Sequence, residues 1–565
     1  MQSLRAYLEE LREVLPDQIV TVRKPVNYNY EITSYVLEAE KRDANPALIF
    51  EKVGDCAIPL LINLFGNVER TLLILNNRQT KGSRLDFYRK WNEIIHEKTS
   101  PIMVGKGPVK DVIYEGENVD LSMLPIPKFY EQDDGRYITA GLLVARNPEN
   151  PEELNLTYSR MQLKGRDRLS LSLHSRGHAW QYLERAKAAN KPLEAAVIIG
   201  AHPSLYLAAA AKIVDEYQVA GTLLGEPLEL VQCETIDVPI PAQAEIVLEG
   251  EIRLENEDEG PFTEYTGYIS GRSTRNLFQV SSVTMKRDAI FLAVAPSNSS
   301  EHLLLSGLPK QARIFQAINT YTHAPVLKDI TWPISGTHFI CFISLRESTN
   351  HLPGLAKQLG LLLLGLDHYV KIVAMLPPEI EVSDLQSVFK AIASKCDFKD
   401  GSDVEILNGV YSHLLDPSSK IAGVSSKMII DVSKPVEDTR VEKGRVTVKS
   451  LKLSDVVVHY AFPSDGDRRF CALRLESSVE DLKKILNEEA FKESRLIVCV
   501  DDDIDILDCR QILWAIATRF QPSEDAILTD GRMIIDARMR PNWSGRKATL
   551  PKNICDAVNN SLFCS

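Results

Sequence analysis

No apolar run in this sequence is long enough to cross a bilayer. The longest, LGLLLLGL at 359–366, is less than half of the roughly 18 to 20 residues a spanning helix requires. The nine cysteines, at 56, 233, 341, 396, 471, 499, 509, 555 and 564, contain no CxxC pair. An odd, scattered set of this kind excludes a disulfide scaffold and points to a reducing, cytoplasmic setting. No dense Lys/Arg cluster is present, and 77 acidic residues outweigh 65 basic ones for a formal charge of −12, so nucleic acid is excluded as a partner class. Gly and Pro, at 29 copies each, are too few for a collagen-like or low-complexity chain.

What is present is an ordinary globular composition, 44% hydrophobic and 25% charged over 565 residues, enough for two to four domains. The opening MQSLRAYLEELREVL places Leu4, Tyr7, Leu8, Leu11, Val14 and Leu15 at helical spacing with charges between. That pattern predicts an amphipathic helix rather than a signal peptide or a membrane segment. Helix-like ITSYVLEAEKR is followed by the short apolar runs ALIFEKV and LLINLFG, a mixed α/β beginning over 1–110. From 111 to 307 strand patterns dominate (YITAGLLVAR, LNLTYSRMQL, LEAAVIIGA, EIVLEGEIRL, FQVSSVTMKR), with helices only near 179–190 and 204–222. A partly closed barrel with helical insertions is expected there. A connecting helix follows at 308–324.

Beyond it the sequence resembles itself. CFISL at 341 matches CALRL at 471, the stretch 371–395 matches 495–519, and SKMIID at 426 matches GRMIID at 531. The order is kept while the offsets fall from 130 to 124 to 105, as loops of different length would produce. We read two copies of one α/β domain, 325–440 and a degenerate 441–565. The fold class is therefore α/β (α+β): an N-terminal α/β region, a split-barrel domain, and a duplicated C-terminal domain.

Four segments could carry chemistry. EDEGPFTEYTGY sets Glu259 and Glu264 on either side of a Gly260-Pro261 turn, where two carboxylates can share one cavity as a general-acid arrangement. Acidity alone fits a solvated loop better, because Glu255, Glu257 and Asp258 are adjacent. NLTYSRMQLKG offers Asn155 and Arg160, the latter shaped to grip a carboxylate through two parallel hydrogen bonds. Residues five apart on one regular strand face opposite sides, so a shared site requires a bulge there or a ligand wrapped around the strand end. His174 leaves a strand four residues before His178, and Glu234 follows a strand in VQCETIDVPIPAQ. With Asn155 they form a two-oxygen, one-nitrogen set suited to Mn²⁺ or Mg²⁺ rather than to structural zinc.

The order of these segments resembles the UbiD-like decarboxylases: NLTYSR, LHSRG, QCETIDVPIPAQAEIVLEG and EGPFTEYTGY follow one another as in that family. The resemblance covers roughly 1–435 and implies prenylated FMN as cofactor. By it, Asn155, His174 and Glu234 hold Mn²⁺ (or Mg²⁺) that clamps the cofactor phosphate, and Tyr158, Ser159 and Arg160 border the cofactor. Arg160, Glu259 and Glu264 are the catalytic set, and Lys427 in VSSKMIID matches a lysine near the phosphate. Where many members have a Met-Pro pair seating K⁺, this chain has Ala211 and Lys212, which argues against that ion. Thr263 replaces a frequent glycine. The second copy has Arg532 in place of Lys427 and lacks the loop before it, so it is expected to be structural and to assemble the enzyme as a homo-oligomer.

No ordinary side chain delocalises the charge left when CO₂ leaves an sp² carbon, so a cofactor must do so. The resemblance implies a covalent adduct between prenylated FMN and the substrate, an aromatic, heteroaromatic or α,β-unsaturated acid, decarboxylated reversibly. Arg160 would orient the carboxylate, Glu259 would hold Arg160, and Glu264 would protonate the carbon. Burial favours Glu264 as an acid and Arg160 opposes it, with burial expected to prevail. A flavin prenyltransferase is the implied cofactor supplier. The other readings are a non-catalytic assembly or regulatory subunit and a plain metal-dependent hydrolase.

Overall fold

The computed structural model describes residues 2–42, 44–75, 82–173, 177–211, 213, 215–322, 325–349, 352–434, 446–453, 456–475, 487–540 and 545–561. The chain forms two compact units, one of residues 1–313 with 546–565 and the other of 314–545. Residues 546–565, expected to end the second C-terminal copy, therefore belong to the first unit. No helix among the described residues is long and apolar enough to cross a membrane.

The first unit opens with the amphipathic helix Leu4–Val14, capped by Ser3, with Leu4, Tyr7, Leu8 and Leu11 buried. A small sheet joins Ile19–Val22, Ala47–Phe50, Leu60–Ile62 and Phe291–Leu292. The centre of the unit is a nine-stranded sheet in which the long strands Ile246–Glu259 and Ser273–Met285 pair antiparallel. Register shifts at 249/250 and 252/256 bend this pair, as bulges do. Along the sheet, Asn150–Tyr158 is the last strand at one end, while Arg160–Leu163 pairs near the other end with Tyr137–Ile138 and Arg168–Ser172. Only Ser159 separates the two strands, so the sheet curls into a split barrel whose seam is bridged by the chain itself. One apolar core, including Leu143, Met161, Leu169, Val197, Leu248 and Phe278, fills it.

This seam resolves the difficulty of Asn155 and Arg160. They do not lie on one regular strand: each belongs to a different strand with different partners, so the alternation of faces does not carry across Ser159. The region 204–222, expected as one helix, is two, Pro203–Ala210 and Glu216–Leu224, parted at Asp215, whose backbone is left-handed.

The second unit holds two sheets that repeat one design. In the first, strands run Leu327–Thr331, Ile340–Leu345, Ile372–Leu376, Val424–Asp431, Val404–Tyr411 across the sheet. In the second the corresponding order is Val456–Ala461, Phe470–Arg474, Leu496–Val500, Arg532–Asp536, Ala526–Thr529, with Lys449–Leu453 added at the edge. Both orders read antiparallel, parallel, parallel, antiparallel. The registers agree with the sequence offsets: Ile340 pairs Ile372 and Phe470 pairs Leu496, while Ile372 pairs Met428 and Leu496 pairs Met533.

Candidate active site

Arg160 begins its strand at the barrel seam, and Glu259 ends the long strand Ile246–Glu259. The Arg160 Nε and Nη2 donate to the two oxygens of Glu259 at 2.7 and 3.2 Å, and Nη1 donates to Glu264 Oε1 at 2.6 Å. Glu259 is only 1% exposed, and a second guanidinium, Arg275 Nε, lies 3.1 Å from its Oε2. Burial on its own would loosen the Arg160 proton, but the carboxylates of Glu264 and Glu259 outweigh burial and hold the cation. The guanidinium also lies over the Phe262 ring at 4.9 Å, and that ring packs on Tyr137 at 4.5 Å. These contacts fix its plane as well as its charge.

The loop between the two glutamates is tied down at each step. Gly260 turns with φ of +84°, a conformation costly for any residue with a Cβ, and its N–H donates to Gln162 Oε1 at 3.2 Å. Thr263, where a glycine is frequent in the resembling family, donates both its N–H and its hydroxyl to Asp133 Oδ1 at 2.8 and 2.9 Å. Burial pushes the Asp133 carboxyl up to about 6 against those hydrogen bonds. Past Glu264 the chain turns back, with Glu264 N–H on the Tyr268 carbonyl at 2.8 Å. The C-terminal tail then closes over the turn: Ile269 N–H donates to Arg546 O and Ala548 N–H to Gly267 O, each at 3.0 Å, and Glu131 N–H donates to Thr549 O at 3.2 Å.

His302, in the first turn of the helix Ser300–Tyr321, was not singled out by sequence reading. Its Nδ1 is buried without a hydrogen-bond partner among the described residues, and its ring meets Tyr265 edge-on at 6.3 Å. Burial lowers its proton affinity, opposed by the Glu264 carboxylate and a hydrogen bond to the Ser297 backbone and reinforced by the Arg160 guanidinium.

The proposed metal ligands are distributed differently from expectation. Asn155 Nδ2 donates to Glu216 Oε1 at 2.9 Å, and Leu156 N–H donates to Glu216 Oε2 at 3.3 Å. Asn155 Oδ1 is buried with no partner among the described residues, and burial pushes Glu216 up to about 7. A buried carboxylate beside an orphaned amide oxygen suits a divalent cation, which would satisfy both. Glu234, assigned to this role from sequence, is instead ion-paired with Lys110 at 2.8 Å and one-third exposed. Glu216 replaces it as the carboxylate beside Asn155. The sequence disguised Glu216 as an ordinary acidic residue in the first turn of a helix. His174 lies outside the described residues, as does Lys212, and no group of three His, Cys, Asp or Glu capable of holding a metal occurs among the described residues.

The Tyr158 hydroxyl donates to the Tyr206 carbonyl at 2.6 Å and Ser159 Oγ to the Ser172 carbonyl at 2.8 Å, so both brace the seam. Lys427 belongs to the second unit, where its ammonium donates to the carbonyls of His368 and Val370 at 3.1 and 2.8 Å and burial lowers it to about 8.

Three family models match the chain: 3-octaprenyl-4-hydroxybenzoate carboxy-lyase N-terminal domain over 15–87, Rift-related domain over 102–299, and C-terminal domain over 304–432 and 448–550. The chain belongs to the UbiD family of carboxy-lyases. Among curated relatives, the anhydromevalonate phosphate decarboxylase of Methanothermobacter thermautotrophicus is 29% identical over 445 residues, 77% of this chain and 97% of that protein. Among solved structures, the UbiD-class enzyme HmfF from Pelotomaculum thermopropionicum in complex with FMN is 34% identical with a TM-score of 0.70, covering 78% of this chain and 97% of its own. An evolved dimeric form of HmfF in complex with prFMN gives 32% and 0.67 over the same shares. The vanillic acid decarboxylase of Sedimentibacter hydroxybenzoicus in open form is 26% identical, with a TM-score of 0.68, over 80% of this chain and 95% of that one.

Proposed function

We propose that this UbiD-family chain is a reversible, non-oxidative decarboxylase of an aromatic, heteroaromatic or α,β-unsaturated carboxylic acid, working with prenylated FMN. The observation that carries the reading is the Arg160 guanidinium held between Glu259 and Glu264. Three of its five N–H groups serve the glutamates, which leaves two for a substrate carboxylate. Glu259, compensated by Arg275 as well, keeps the fork oriented. Glu264 exchanges Arg160 for the substrate, takes up a proton from water and delivers it to the carbon that lost CO₂. Phe262 and Tyr265, both buried, and the buried His302 offer an apolar wall with one polar contact for a ring-bearing acid. When bound, prenylated FMN supplies the electron sink that no side chain here provides. Asn155 and Glu216, with His174, would hold Mn²⁺ (or Mg²⁺) for the cofactor phosphate.

The relatives support this reading: two HmfF structures contain FMN or prFMN, and the similar Methanothermobacter and Sedimentibacter proteins are named decarboxylases. The test is protein produced with a flavin prenyltransferase and screened on aromatic acids in D₂O. The expected result is CO₂ release with deuterium at the released carbon, abolished in Arg160→Ala while flavin stays bound. CO₂ release that persists without any flavin would overturn the proposal.

A further inference from the structure

The two C-terminal copies meet in a way that two unrelated neighbours would not. In a two-fold interface, contacts come in pairs: if residue i of one copy touches j of the other, then the counterpart of i touches the counterpart of j. By the offset of 124, Lys371 corresponds to Arg495, and Cys396 to Phe520. Lys371 Nζ donates to the Phe520 carbonyl at 3.2 Å, and Arg495 Nη2 donates to the Cys396 carbonyl at 2.7 Å. The two contacts are each other's mates. The helices that carry these carbonyls at their ends, Leu385–Lys395 and Cys509–Arg519, are counterparts too, capped by Asp384 and Asp508, and they touch each other. The same element of each copy thus faces its equivalent, the signature of a self-complementary surface.

This face is well closed. Phe389 of the first copy stacks on Phe470 of the second at 4.5 Å and 6°. Lys371 is fully buried with Asp416 at 3.0 Å, and Gln521 of the second copy reaches Asp416 and Ser418 at 3.2 and 2.9 Å. A buried, hydrogen-bonded ion pair is intolerant of a lost partner, so this surface cannot be shared with another chain while the second copy occupies it. The solved relatives, covered almost to their full length, leave about a fifth of this chain unmatched, a length close to one copy.

We propose that the second C-terminal copy is a built-in partner: it fills the face through which two identical copies would pair about a two-fold axis, and the chain does not self-associate through that face. The homo-oligomer expected from sequence is, at this surface, folded into one polypeptide.

Light scattering on the full chain, repeated over a wide concentration range and with the variants Arg495→Ala and Phe389→Asp, tests this. The expected mass is that of one chain, 63.3 kDa, with a thermal midpoint independent of protein concentration and lowered by the same amount at every concentration in Arg495→Ala. A two-chain species that both folded variants leave intact also supports the proposal, since assembly then uses another surface. A two-chain species that Arg495→Ala splits into single chains, or a wild-type midpoint that climbs with concentration and ceases to do so in that variant, overturns it.

Discussion

The Glu259 carboxylate receives two N–H groups of Arg160, at 2.7 and 3.2 Å, in the side-on pairing that fixes a guanidinium in plane. A lysine in that place would keep the charge and lose the plane, because an ammonium is a point donor. Arg160→Lys is therefore expected to retain flavin and reduce kcat/KM by about 10²-fold or more, with Glu259→Gln falling between it and the wild type. Stopped-flow turnover of the cofactor-loaded variants checks this, and an Arg160→Lys enzyme at wild-type rate would remove the orienting role.

Glu216 and Glu234 make opposite predictions about metal. Glu216, pushed up to about 7 by burial, must lose its proton to bind a cation, so Mn²⁺ affinity should rise with pH until about 7 and binding should release protons below it. Calorimetry in buffers of different ionisation enthalpy reads that release directly. Glu216→Gln should weaken Mn²⁺ binding at least tenfold, whereas Glu234→Gln, removing only the partner of Lys110, should not. Equal losses in the two variants would return Glu234 to the metal site.

Asp133 anchors Thr263 in the loop between Glu259 and Glu264 and has its carboxyl raised from 3.8 to about 6 by burial. The folded protein therefore holds that proton more tightly than the unfolded chain. The stabilisation is complete below about 3.8 and is lost as pH rises through about 6, on the order of 3 kcal/mol in all. Asp133→Asn keeps an amide oxygen for Thr263 and cannot titrate. Its urea stability, subtracted from that of the wild type, should drift against the wild type between pH 4 and 6 and level off above; two parallel curves would show that Asp133 does not titrate in this range.

Much of this was legible in the sequence, for a physical reason. The meeting of Arg160, Glu259 and Glu264 was legible only through the order of the segments NLTYSR, LHSRG, QCETIDVPIPAQAEIVLEG and EGPFTEYTGY, which resembles the UbiD-like family; each segment alone fits an ordinary surface charge. The duplicated domain was recoverable because core strands such as 341–345 and 471–475 must keep apolar side chains in register. Glu216 was hidden because an acid at a helix start has an ordinary explanation in the helix dipole. The break at Ser159 was hidden because a single residue between two strands leaves the alternation almost undisturbed. The return of 546–561 to the first unit was invisible for a different cause: its bonds to Gly267 and Ile269 are made by backbone groups, which every sequence possesses.

That return yields the last prediction. Arg546 and Ala548 pin the turn that follows Glu264 through two backbone hydrogen bonds of 3.0 Å, and the helix Lys552–Ser561 packs against Glu31–Ala39, so the tail is anchored on the far side of the contact. Ala548→Pro deletes the N–H given to Gly267 and leaves the Glu264 side chain untouched. One backbone hydrogen bond is worth about 1 kcal/mol, so amide exchange at Ile269 should quicken about fivefold. If the tail positions the loop, kcat should fall by a similar factor with KM for the acid nearly unchanged, because the carboxylate grip of Arg160 does not pass through this turn. Faster exchange at Ile269 with unaltered kcat would show that the tail braces the turn without setting the geometry of Glu264.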